Sequence, residues 1–110
     1  MSNTYRPDGK LWELDSTGTL WTNTLGSVPS STIGPKWVTR IIMHPNAVDD
    51  DLVFQDVANS TTLLKLEADS ISTGAITVDF SAENGGKGRR WHSCKISTLD
   101  TSVTAELFVA

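Results

Sequence analysis

The sequence predicts an all-β fold, a single small antiparallel β-sandwich of the jelly-roll or small-barrel kind preceded by an extended N-terminal arm. Three observations carry that expectation. From Trp37 onward, apolar residues alternate with polar ones at a period of two, the signature of half-buried strands. Clusters of Gly, Asn, Asp, Ser and Pro interrupt this alternation at intervals of roughly ten residues, the rhythm of short strands joined by turns. Apolar residues seldom recur at three- and four-residue steps, so no helix of useful length is expected. A chain of 110 residues with 38% apolar content can bury one core but hardly two. The chain therefore divides into an arm, residues 1–36, and a sandwich domain, residues 37–110.

The arm has its own character. Leu11-Trp12 and Leu20-Trp21 stand on either side of a turn running from Asp15 to Gly18, as in a short hairpin. Residues 25–35 follow, rich in Gly, Pro and Ser, and cannot continue a regular ladder; they read as a connector. An isolated two-stranded hairpin is marginal in water. The arm is therefore expected to dock on its own sandwich or on a neighbouring subunit, with Leu11, Trp12, Leu20 and Trp21 as the anchors.

Within the sandwich, residues 37–44 form the first strand, with Trp37, Ile41 and Met43 on one face and Val38, Arg40 and Ile42 on the other. Pro45 and Asn46 end it. Asp49, Asp50 and Asp51 make an acidic, solvated turn before a strand at 52–57, and Ala58-Asn59-Ser60 separates this from a strand at 62–67, so the two read as a hairpin. Residues 76–80 place Ile76, Val78 and Phe80 inward, between Ser72-Thr73-Gly74 and the glycine-rich stretch 83–88. Residues 91–96 form the next strand. The last, 103–109, aligns Val103, Ala105, Leu107 and Val109 on one face.

Composition narrows the function. The formal net charge is -4, whereas nucleic-acid binders usually gather a basic excess on one face, so direct nucleic-acid binding is not expected. Cys94 is the only cysteine and makes no internal disulfide, so packing and hydrogen bonds must hold the fold. No apolar run approaches the roughly 20 residues that span a bilayer, and the N-terminus lacks the apolar core of a secretory signal. A soluble protein made in a cytoplasm, with no membrane partner, is expected.

The residues that could carry chemistry do not assemble into a motif. Asp49, Asp50 and Asp51 lack the glycine turn and the distant closing Glu of a calcium loop. His92 and Cys94 would share one face of a strand, but with His44 they are the only soft ligands, short of the four a structural zinc site wants. Cys94 paired with a histidine has no nucleophile-elbow context around it. The stretch 84–90 has glycines and cations but not phosphate-loop spacing, and it leads into a strand instead of a helix. No catalytic residue, cofactor or metal is assigned. Lys87, Arg89 and Arg90 form the only local basic cluster on an acidic chain, which suits registration against an acidic protein surface. Trp91 beside them anchors either the core or an interface.

From Trp37 to Ala110 the chain resembles small structural proteins encoded among the head and tail genes of tailed phages. The resemblance lies in the opening strand Trp37-Val38-Thr39-Arg40-Ile41-Ile42, the acidic turn before Leu52-Val53-Phe54-Gln55-Asp56, the strand Leu63-Leu64-Lys65-Leu66, and the terminal strand Ala105-Glu106-Leu107-Phe108-Val109. It implies a virion protein made in the host bacterial cytoplasm: a capsid decoration or cement protein binding the major capsid protein or another virion protein as a homo-oligomer. It transfers no catalytic or binding residue. The alternative is a carbohydrate- or receptor-binding module of a phage tail or fibre, using Trp12 and Trp21 as stacking surfaces. A hydrolase would need a paired acid and base in a cleft, and no such pair stands out.

Overall fold

In a computed structural model, which describes residues 3–6, 10–22, 35–68 and 74–110, the chain forms two antiparallel sheets packed face to face as a small β-sandwich. The strands are β1 (Thr4–Arg6), β2 (Leu11–Leu14), β3 (Gly18–Trp21), β4 (Lys36–His44), β5 (Asp51–Gln55), β6 (Thr62–Glu67), β7 (Ile76–Asp79), β8 (Arg89–Trp91), β9 (Cys94–Leu99) and β10 (Thr104–Val109). One sheet has the order β1-β2-β10-β4-β7, with β8 also paired to β4; the other has the order β3-β9-β5-β6. No described helix is long and apolar enough to cross a membrane.

The alternation read from the sequence explains the core. On the larger sheet the register stacks Tyr5, Trp12, Leu107, Ile41 and Val78 in one inward row, and Leu14, Ala105, Met43 and Ile76 in the next. On the smaller sheet Leu52, Phe54, Leu66 and Ile96 face them. The acidic turn and the β5–β6 hairpin lie where expected, with Asp51 opposite Glu67 and Phe54 opposite Leu64. The strands from Ile76 and to Val109 keep the expected inward faces.

The N-terminal segment corrects the expectation most sharply. Residues 11–14 and 18–21 do not pair with each other: β2 lies between β1 and β10 in the larger sheet, and β3 pairs with β9 at the edge of the smaller one. The turn between them is therefore a crossing from sheet to sheet. Trp12, Leu14, Leu20 and Trp21 are all buried, the last two completely. A docked hairpin would expose one side of each ring, whereas strands inserted into two facing sheets bury both. The division at residue 36 thus marks no boundary in the packing; the connector expected at 25–35 lies largely outside the described residues.

Two other departures have local causes. In β4 the inward positions are Val38, Ile41 and Met43, because the pairing to β10 skips a residue: Phe108 faces Arg40 while Val109 faces Val38. A bulge at Thr39 resets the alternation and turns Trp37 to the outer face. Thr39 occupies the bulge with both ends satisfied, its hydroxyl donating to Phe108 O at 3.2 Å and its carbonyl accepting Phe80 N–H at 2.8 Å. The strand expected at 91–96 is broken at His92 and Ser93, where the chain passes from β8 in one sheet to β9 in the other. Buried Ser93 secures the corner, its hydroxyl donating to Asp56 Oδ1 and accepting Val57 N–H, both at 3.0 Å.

Trp21 tests the integrated N-terminus. Its ring is wholly enclosed and its Nε1–H donates to Trp91 O at 3.2 Å across the sheets. Trp21→Ala is expected to lower the unfolding free energy by about 3–5 kcal/mol, the range for emptying a large aromatic from a core. Urea denaturation checks it, and a loss below about 1 kcal/mol, the size of an ordinary surface change, would return Trp21 to a detachable arm.

A cation and aromatic patch opposite an acidic pole

The sandwich has two chemically distinct ends. β4 leads to one of them, where the turns after β2, β4, β6 and β9 meet. Asp49 N–H donates to Ala68 O at 2.7 Å, and Asp100 Oδ2 accepts Asp51 N–H at 2.7 Å, tying the β4–β5 loop to the ends of β6 and β9. Asp15 reaches the same end, because Leu14 pairs with Ala105 beside the β4 terminus. Asp15, Asp49, Asp50, Asp51, Glu67 and Asp100 therefore gather there, and the described turns hold no Lys or Arg. The expected solvated turn holds only in part. Asp50 is 8% exposed and builds the loop, its Oδ2 accepting the N–H groups of Asn46 and Ala47 at 2.8 and 2.6 Å. Val48, between these carboxylates, is the one exposed large hydrophobic side chain among the described residues, at 57%.

Glu67 shows what this crowding does. It stands directly across from Asp51, whose Oδ1 is buried and finds no donor among the described residues. A proton on Glu67 provides a hydrogen bond to Asp51, and this sharing, with repulsion from the Asp51 and Asp49 charges, holds the Glu67 carboxyl above its ordinary range against the opposing pull of Lys65.

The other half of β4 carries the cations. Trp37, turned outward by the Thr39 bulge, lies opposite Arg90 of β8, so the two side chains share the outer face. The Lys87 ammonium sits 5.7 Å from the centre of the Trp37 ring, within cation–π range. Both cations are exposed, and neither forms an ion pair with a described residue. Arg89 differs. Its guanidinium covers Phe80 at 4.2 Å and pairs with Glu83 at 3.0 Å, so its charge is already matched. Lys36, paired with Trp91, lies near the Tyr5 ring at 5.8 Å, and burial pulls its ammonium below the usual lysine range.

Gly88 holds the Lys87 loop against β4. A Cβ at this position would stand 2.1 Å from Val38 O, and φ is +94°, a conformation L side chains rarely adopt. Of the stretch 84–90, residues 84–88 form a tight turn, with Asn84 donating to Gly88 O at 2.8 Å, and Arg89 and Arg90 already belong to β8.

The interface residues anticipated from the sequence therefore separate. Lys87 and Arg90 stand together with Trp37, Arg89 is paired beside them, and Leu11 is half-buried on the outer face. Trp12, Leu20 and Trp21 are core residues, and neither indole offers a face to a glycan or a neighbour. Trp91, left open between core and interface, is core, 5.5 Å from Phe54 and 6.5 Å from Phe80. Trp37 is the residue the sequence hid, since only the bulge brings it outward.

The remaining candidates are dispersed. His44 pairs with Glu106 at 2.8 Å, His92 is exposed, and Cys94 is fully buried, so the shared face expected for His92 and Cys94 does not form. Burial, reinforced by Asp56, pushes the Cys94 thiol far up, away from the reactive thiolate. An open depression of about 480 Å³ is lined in part by Thr4, Glu13, Asp15, Thr104 and Glu106. Within it Glu13 pairs with Arg6 and Glu106 is hydrogen-bonded to His44 Nε2 at 2.8 Å, while the buried Asp15 Oδ1 has no partner among the described residues. No family model, curated protein or solved structure matches this chain.

Two outcomes check this geometry. Gly88→Ala should destabilise the fold by about 2–4 kcal/mol, combining backbone strain with overpacking, whereas Gly85→Ala, at φ +69° in open space, should cost about 1–2 kcal/mol. Equal losses in urea unfolding would contradict the close approach to Val38. A carboxyl whose folded pKa is raised holds its proton better in the native state, so stability falls as pH rises from the ordinary value of 4.5 through the folded value. Glu67→Gln should therefore raise Tm at pH 7, with the gain fading as the medium is acidified below 4.5; a pH-independent difference would refute the shared proton.

Proposed function

We propose that this chain is a virion structural protein of a tailed bacteriophage, a capsid decoration or cement protein that stabilises the shell by binding between capsid subunits. The observation that carries its docking role is the patch of Trp37, Lys87 and Arg90: two exposed cations with no described acidic partner beside an outward aromatic, on a domain of net charge -4. Such a combination fits a protein surface presenting carboxylates, with the ring supplying contact area and the charges setting register. The strand and turn pattern of residues 37–110 supports the virion setting. The engagement of Glu13 by Arg6 and of Glu106 by His44, with the burial of Cys94, favours a binding part over a catalyst.

The mechanism is mechanical. A domain that binds only the assembled shell lowers the free energy of that state by mass action, growing with the logarithm of free protein over Kd. The glycan-binding alternative loses its two anchors, because Trp12 and Trp21 are enclosed.

Lys87→Glu/Arg90→Glu, at exposed positions, should leave the unfolding midpoint nearly unchanged. Occupancy of emptied phage heads at a fixed free concentration should fall by roughly tenfold or more, as charge reversal in a registered contact does. Undiminished occupancy would rule out the patch as the docking surface.

A further inference from the structure

We propose that the acidic pole around Val48, Asp49 and Glu67 of one copy docks on the Trp37, Lys87 and Arg90 patch of a second copy, joining subunits head to tail. The inference rests on reading the patch as a protein-docking surface and names its partner as this same chain.

Charge complementarity is the first argument. One end of the sandwich collects six carboxylates with no Lys or Arg in its described turns, and the patch in the other half of β4 carries two exposed cations that no described carboxylate engages. Within one molecule the two cannot meet. From Trp37 to His44 is seven residues of strand, on the order of 23 Å at ~3.3 Å per residue, several times the ~8 Å screening length at physiological ionic strength. Each copy therefore presents both halves of a contact that it cannot complete within itself.

Shape and polarity add a second argument. Val48 stands at the tip of the acidic loop, 57% exposed, where Asp50 fixes the backbone by accepting two loop N–H groups. An exposed apolar side chain beside Asp49 matches an outward Trp flanked by Lys87 and Arg90, each an apolar contact with charge next to it. Asp49 and Glu67 are exposed and unpaired with any described cation, so they are available to Lys87 and Arg90.

A contact between two different surfaces of the same molecule is heterologous, and repetition closes into a ring or continues as a chain. A repeated virion subunit would be linked to its like neighbours by this route, and in an open series the patch of the end copy stays free to hold the shell. A nucleic acid would also be drawn to the cations, but the acidic pole and net charge of -4 oppose it.

Sedimentation velocity on the full chain provides the test, with Lys87→Glu/Arg90→Glu ablating the patch and Val48→Lys/Glu67→Lys ablating the pole. All four positions are exposed, and near-UV circular dichroism verifies that each variant keeps its fold. The wild type should form concentration-dependent oligomers in low salt that dissociate in 0.5 M salt, a concentration chosen to shorten screening to roughly 4 Å. Each variant alone should run as a monomer, its self-association weakened by roughly tenfold or more. An equimolar mixture should associate again, because one intact pole meets one intact patch and the reversed charges of the two altered surfaces are themselves complementary. A wild type that stays monomeric, a variant that still oligomerises, or a mixture that fails to pair would overturn the proposal. A monomer that instead retains a single-stranded oligonucleotide through Lys87 and Arg90 would replace it with nucleic-acid binding. Loss of head occupancy in the patch variant without wild-type self-association would leave the docking surface standing and remove only this partner.

Discussion

Trp91 is the point through which the two sheets hold each other. It ends β8 in the larger sheet, its carbonyl accepts the indole N–H of Trp21 from β3 in the smaller one, and its ring lies against Phe54 of β5 and against Phe80. Large aromatic rings bury roughly 150–250 Å² each, so this cluster is a major share of what a domain this small can remove from water. A buried indole N–H without an acceptor would be costly. The Trp91 carbonyl meets that need where the chain leaves β8 and crosses to β9, so packing and polar satisfaction coincide at one corner.

The N-terminal strands follow from the same constraint. With β1 and β2 on one sheet and β3 on the other, the segment that resembles an arm completes both layers. Its two tryptophans are enclosed between the facing sheets, and Trp21 also finds an acceptor for its indole N–H. Function must then be sought on the outside. There the asymmetry of charge is a product of topology: antiparallel connections return acidic turns from four strands to one end, while the β7–β8 excursion and the start of β4 bring cations to the other half. The bulge at Thr39 is a small irregularity with a large effect, since it reverses the face of Trp37.

Much of the architecture was legible in the residues. The strands at Asp51–Gln55, Thr62–Glu67, Ile76–Asp79 and Thr104–Val109 sit where period-two alternation and turn chemistry place them, because each has one face on the core. The basic cluster at Lys87, Arg89 and Arg90 was visible too, as contiguous charge. What misled was local symmetry. Two Leu/Trp pairs around a turn look like a hairpin, and Trp91 to Ile96 looks like one strand, because alternation reports which residues are buried and not which sheet buries them.

From its own residues the chain settles an all-β body, the inward face of its regular strands, and the polar turns between them, since apolar periodicity and turn preference act over a few neighbours. Tertiary structure decided the rest: that the N-terminal strands belong to both sheets, that Trp37 faces outward, that Arg89 is matched by Glu83 while Lys87 and Arg90 are not, and that carboxylates distant in sequence share one end. Those facts depend on contacts between segments far apart along the chain, and no local pattern encodes which of several compatible partners a strand will take.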